Sequence, residues 1–263
     1  MMRPLPTLFL SHGSPMLALD AGVTGEAWRT AANALPKPDA IVVASAHWSI
    51  SIPAVSASPS PSTIHDFFGF PAELYRIQYR PPGAVDLARE VAERFEAAGL
   101  RQVGIDPARG LDHGAWVPLR EMYPAADVPV IQIALQARLG PRHHYQLGQA
   151  LRGLGARNVL VLASGSLTHN LHEAMAAQEG DPVPDYVLEF QAWMAEKLGD
   201  GDLDALLDYR VQAPDAARAH PTEEHLLPLF VALGAAAEPL RARRLWDGVT
   251  QSALAMDLYR FES

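Results

Sequence analysis

Ten histidines and no cysteine mark this chain of 263 residues. Disulfides, thiol nucleophiles and cysteine-held metal clusters are excluded, so any transition-metal site must be built from imidazole, carboxylate and water. Neutral imidazole suits zinc, iron and copper alike, and because it titrates near neutrality it can also take up and return a proton. Three of the ten fall in equivalent places. His12 follows the apolar run Thr7-Leu8-Phe9-Leu10, His47 follows Ala40-Ile41-Val42-Val43-Ala44, and His169 lies a few residues beyond Asn158-Val159-Leu160-Val161-Leu162-Ala163. Ligands of open α/β sheets bind outside the carboxyl ends of the strands. If these strands are parallel, three imidazoles reach one rim of one sheet. A single histidine there is an ordinary loop residue; three together point to a shared site.

The remaining histidines divide. His113, in Leu111-Asp112-His113-Gly114-Ala115-Trp116, has Asp112 beside it and reads as catalytic or as a support for the ligands. His225 falls in the first turn of a late helix and can point into the rim. His220 and His225 have half the spacing of a zinc finger, which is void without cysteines. His143 and His144, after Pro141, read as surface residues, and His172 as an exposed helix position.

Other catalytic signatures are missing. Ala163-Ser164-Gly165 lacks the first glycine of a nucleophile elbow. Neither a phosphate-binding Walker loop nor a GxGxxG turn is present. Ser14, two residues from His12, is poorly placed to share a proton with it.

The elements that must position these residues are short, nearly continuous apolar runs, typical of strands buried on both faces. Val128-Pro129-Val130-Ile131-Gln132-Ile133-Ala134 is a fourth. Between them, Ala84, Leu87, Ala88, Val91, Ala92 and Phe95 recur at helical spacing, with Gly99 where a left-handed cap belongs. A second helix is predicted over 185–198, closed by Gly199. A third begins at the Thr222 cap with Glu223 and Glu224 in its first turn and runs to Gly234, bent or delayed by Pro228. This alternation predicts an α/β three-layer sandwich: a largely parallel or mixed central sheet with helices on both faces. The proline-rich stretch 56–82 cannot form a long regular element. Its His65, Asp66, Phe67, Phe68 and Phe70 suit a structured wall over a site. Neither a repeat nor a linker divides the chain.

With 49% hydrophobic and 19% charged residues, the composition is that of a globular protein. The formal net charge of −9 and the lack of a basic stripe argue against nucleic acid; Arg241, Arg243 and Arg244 read as a solvated face. The N-terminal apolar stretch is too short for a signal peptide. No run approaches the roughly 20 apolar residues that cross a bilayer. A cytoplasmic protein without membrane contact is expected.

Six segments, in this order along nearly the whole chain, carry a resemblance: Leu10-Ser11-His12-Gly13-Ser14-Pro15; Ser45-Ala46-His47-Trp48; Thr63-Ile64-His65-Asp66-Phe67-Phe68-Gly69-Phe70-Pro71; Leu111-Asp112-His113-Gly114-Ala115-Trp116; Ala163-Ser164-Gly165-Ser166-Leu167-Thr168-His169-Asn170-Leu171; and Pro221-Thr222-Glu223-Glu224-His225. The chain resembles the DOPA-dioxygenase type of class III extradiol ring-cleavage dioxygenases, relatives of the protocatechuate dioxygenase catalytic subunit. The resemblance implies one catalytic domain over 1–263, with His12, His47 and His225 as metal ligands and His169 as acid/base. Glu224 is a second candidate for the third ligand, since the wider class often uses a glutamate. His113 is implied as a catalytic helper and His65 as a pocket residue.

The implied reaction opens a catechol ring with both atoms of O2, using non-haem ferrous iron, although related proteins carry zinc when isolated. The implied partners are a small aromatic catechol and O2, with a homo-oligomer open. Trp48, Phe67, Phe68 and Trp116 are candidates for stacking on the ring. Three neutral histidines also suit zinc, so a zinc hydrolase with His169 as proton shuttle is the alternative. A binding module without catalysis would leave His113 and His169 without a task.

Overall fold

In a computed structural model, residues 4–178 and 180–262 are described. The first three residues of the stretch considered above for a signal peptide lie outside them. The strands are β1 (Thr7–Ser11), β2 (Ala40–Ser49), β3 (Ala54–Ser56), β4 (Gly104–Asp106), β5 (Val130–Leu135), β6 (Val159–Gly165), β7 (Ala242–Trp246), β8 (Val249–Thr250), β9 (Leu254–Ala255) and β10 (Leu258–Phe261). The longer helices are α1 (Gly22–Asn33), α2 (Val85–Ala97), α3 (His113–Met122) and α4 (Gly140–Ala150). After α5 (Leu171–Ala176) and α6 (Asp185–Asp200) come the short α7 (Leu203–Leu207), α8 (Tyr209–Gln212) and α9 (Ala216–Ala219), then α10 (Leu227–Ala235).

Eight strands form one sheet in the order β4-β3-β5-β2-β6-β1-β10-β7, and β8 pairs with β9 apart from it. The centre, β5-β2-β6-β1, is parallel throughout. Antiparallel pairs flank it, β3 on β5 and β10 on β1, so the sheet is mixed, as expected. Strand alternation sends side chains into two cores. Phe9, Val42, Ala44, Ile131 and Val161 pack under α2, α4, α6 and α10. Leu8, Leu10, Ile41, Val43 and Leu162 pack under α1 and α3, where Trp28 and Trp116 are fully buried. Burial on both faces is what makes the central strands continuously apolar.

Gly99, with φ +82°, follows α2 as anticipated. Two boundaries differ from expectation. The left-handed residue closing α6 is Gly201, not Gly199. The late helix starts at Leu227, with Pro228 in its first turn. Proline lacks an N–H, so it is tolerated where that donor would have no helical partner and delays the helix to that point. His225 therefore sits in the turn before α10, not inside a helix. No helix among the described residues is long and apolar enough to cross a membrane.

Candidate metal centre and pocket

The carboxyl ends of β1, β2 and β6 are neighbours in the sheet, and they deliver His12, His47 and His169 to one rim. His225 joins them because its loop crosses β6 closely: Ser166 N donates to His225 O at 2.8 Å. The approach requires glycine at 165, where a Cβ would stand 2.1 Å from the His225 carbonyl oxygen.

Three Nε2 atoms converge. That of His47 lies 3.0 Å from Nε2 of His12 and 3.2 Å from Nε2 of His225. The Nδ1 partners show which nitrogens carry protons. Ser164 Oγ donates to Gly114 O, so it accepts from Nδ1–H of His12, 3.0 Å away. Glu224 Oε1 accepts from Nδ1–H of His225 at 3.0 Å, and Asp66 Oδ2 lies 3.3 Å from Nδ1 of His47. Nε2 of His47 thus has Nε2 atoms of both His12 and His225 close by, and a ring nitrogen of His113 lies within 4.8 Å of donors of His12 and His47. Three lone pairs at such distances repel one another unless a cation lies between them, so the donor set fits one metal ion. Oxygen acceptors behind ligating histidines are the usual means of fixing ring and tautomer. Burial first, then neighbouring imidazoles, pushes His12 and His225 well below the usual histidine range. Both remain neutral and available as ligands. Glu224, the second candidate for the third ligand, meets His225 Nδ1, and ligand atoms of His169, Glu224 and His225 also lie within 4.8 Å of one another.

His169 lies flat on His225, with ring centroids 3.4 Å apart. It is anchored through its backbone N–H to Ala219 O at 2.8 Å. Burial lowers its pKa to about 4.

His113 opens α3, and its ring lies 3.9 Å from that of His47. Its carboxylate neighbour is not the adjacent Asp112 but Asp66, whose Oδ1 is 3.0 Å from His113 Nδ1 and accepts the His113 backbone N–H at 2.9 Å. Burial raises the Asp66 pKa, but contacts with His113 outweigh it and hold the carboxyl at about 2. Asp112 turns inward, buried, and caps α3 while accepting from Ser45 Oγ, Arg109 and Gln132. Gly114 then packs closely on these rings: a Cβ there would lie 3.0 Å from His47 Cδ2 and 3.2 Å from His12 Cε1.

The wall over 63–71 is present. Phe67 stands edge-on to His113 at 5.7 Å between centroids, while Phe68 is 91% exposed. Trp116 backs Phe67, its Nε1 donating to Ile64 O at 3.0 Å. His65 stands farther out, donating from Nε2 to Ile77 O at 3.0 Å and touching Phe67 and Trp116. Trp48 is a correction. It lies in the stretch where the β2–β5 register shifts and packs with Ala54 and Ala134 beneath the Arg109 guanidinium. A cavity of about 530 Å³ between α1 and β7 contains none of the histidines.

The two histidines after Pro141 also depart from expectation. His144 is fully buried in α4, donating from Nδ1 to Gly140 O at 2.7 Å and accepting the Gln136 N–H at Nε2 at 3.1 Å. His143 is half-buried and meets Gln136 Oε1 at 2.7 Å. His172 is exposed, as read. In the arginine cluster, Arg244 reaches the buried Asp257 at 2.7 Å, so only Arg241 and Arg243 lie on an exposed face.

Imidazoles gathered at the rim of the sheet's parallel centre, with a fourth ring stacked on His225, form a donor set that fits a metal ion. Residues 6–255 match the family described as the catalytic LigB subunit of aromatic ring-opening dioxygenase. The chain belongs to that family and is an extradiol dioxygenase. It is 40% identical over 98% of its length to 4,5-DOPA dioxygenase extradiol of Beta vulgaris, covering 96% of that protein. It is 35% identical over 93% of its length to the protein of the same name from Escherichia coli K12, covering 86% of it. The crystal structure of an uncharacterised protein of Escherichia coli K12 superposes with a TM-score of 0.82 at 30% identity, covering 97% of this chain and 99% of that one. These relatives favour ring opening over the hydrolytic alternative.

Proposed function

We propose that this chain opens the ring of a DOPA-like catechol with insertion of both atoms of O2, using ferrous iron held by Nε2 of His12, His47 and His225. The convergence of those three lone pairs carries the reading, and the names of the relatives supply the substrate class. Ferrous iron, when bound, supplies coordination positions for both catechol oxygens and for O2, together with the electron transfer that zinc lacks.

The protein's own part is proton handling and positioning. His169, neutral at working pH, takes a catechol hydroxyl proton on a ring nitrogen and gives it back as the ring opens. His113, held through Asp66, places a second imidazole beside His47. Phe67, backed by Trp116, forms the apolar wall against which an aromatic ring lies, and it keeps bulk water from the reacting atoms.

The test is oxygen uptake by metal-stripped protein refilled anaerobically with ferrous iron and given a panel of catechols including DOPA and protocatechuate. One O2 consumed per catechol, with a coloured ring-opened product and no uptake by zinc-loaded protein, is expected. No uptake across the panel with iron confirmed at the site would overturn the substrate and metal assignments together.

A further inference from the structure

Asp66 lies in the wall segment 63–71, far in sequence from both histidines it faces. Its Oδ2 is 3.3 Å from Nδ1 of His47, and its Oδ1 is 3.0 Å from Nδ1 of His113. The same Oδ1 takes the backbone N–H of His113, the first residue of α3, where the helix dipole favours a carboxylate. The neighbouring acidic groups are engaged elsewhere. Asp112 is occupied by Ser45, Arg109, Gln132 and the Ala115 N–H, and Glu224 by His225 and Thr222. Asp66 is thus the carboxylate that faces both rings, and its segment is in turn tied down by Ile64 N donating to Leu111 O at 2.8 Å.

We infer that Asp66 is a positioning residue for the reaction: one carboxylate that holds a metal-ligand imidazole and a pocket imidazole in the same Nδ1–H tautomer, which leaves Nε2 of His47 for the metal and Nε2 of His113 for the substrate. The inference rests on the proposed ligand set. It also makes the aromatic wall and the metal centre one assembly, because Phe67, the next residue, is carried on the group that orients His47. An asparagine at 66 keeps the shape but offers one acceptor and one donor. The donor facing either Nδ1 favours the opposite tautomer, which places a proton on Nε2.

Cobalt(II) binding to metal-free protein, followed by competition with a chromogenic chelator, tests the role without turnover. Asp66→Asn is expected to weaken cobalt about 10- to 100-fold, the usual loss when the partner of a ligating histidine is removed. Asp66→Glu is expected to recover part of that loss and to return the cobalt absorption bands toward those of wild type. Wild-type affinity in Asp66→Asn, with His12→Ala unable to bind, would overturn the role of Asp66 alone. Cobalt retained by His12→Ala would overturn the ligand set beneath it. Imidazole nitrogen NMR of the metal-free wild-type protein decides the matter even if the variants do not fold. Protons on Nδ1 of both His47 and His113 are expected, and a proton on Nε2 of either refutes the inference.

Discussion

The ring of His169 lies face to face on the ring of His225, with centroids 3.4 Å apart and planes within 10°. In the proposed mechanism the proton-transfer group is therefore positioned by a metal ligand. Removal of His169 is expected to leave His225 in place, whereas removal of His225 is expected to take away a proposed ligand and the support of His169 together.

The variants at these positions are expected to separate. His169→Ala should retain its metal while turnover of a catechol falls about 10²- to 10⁴-fold, the usual contribution of a placed acid/base. Metal analysis beside oxygen uptake measures both. Unchanged turnover would remove His169 from the mechanism.

His12→Ala, His47→Ala and His225→Ala should each lose the metal after dialysis, checked by elemental analysis of folded protein. Metal retained at full stoichiometry in all three would sink the assignment.

Gly114→Ala adds one methyl group where the space is already taken, 2.5 Å from Ser45 Oγ and 3.0 Å from His47 Cδ2. Overpacking of this kind costs about 1–3 kcal/mol. Here it also pushes on two ligands, so a lower thermal midpoint should accompany weaker metal binding. A variant with wild-type metal affinity would show that α3 does not brace the ligands.

Two adjacent phenylalanines should behave differently. Phe67→Ala removes a buried ring that touches His113 and is expected to raise KM for the catechol and lower stability. Phe68→Ala, whose ring is 91% exposed, should leave thermal stability within about 0.5 kcal/mol of wild type. Equal effects on KM and melting would argue against Phe67 as the wall.

Acid should weaken the fold through His144, whose pKa burial lowers to about 4. The folded state then binds fewer protons than the unfolded chain between about pH 6.5 and 4, so stability rises with pH across that window. The contribution is complete above the unfolded pKa and is lost as pH falls through the folded one. From pH 7 to 4.5 it amounts to roughly 2–3 kcal/mol. Urea unfolding should show His144→Gln less stable at pH 7 yet less sensitive to acid; parallel curves for the two proteins would refute this.

The central strands were legible because burial on both faces leaves continuous apolar runs, and His12, His47 and His169 stood out as polar residues just beyond them. The missed features depend on partners distant in sequence. Nothing near His113 says that its carboxylate neighbour is Asp66 and not Asp112; that choice is made where 63–71 packs on α3. His144 reads as a polar residue on an amphipathic helix, and its burial follows from the Gln136 N–H that needs an acceptor. Trp48, a candidate for stacking on the ring, packs instead with Ala54 and Ala134 beneath Arg109, partners that its own neighbours in sequence do not announce.

His47 and His225, whose Nε2 atoms nearly touch, are 178 residues apart in the chain. Between them the backbone lays down β6 between β2 and β1, and the donors meet only when that insertion is complete. Contacts this distant form late and slowly in folding. The donors of a bound ion thus come together only in the assembled sheet, so release of that ion becomes a sensitive report on whether the whole topology is intact.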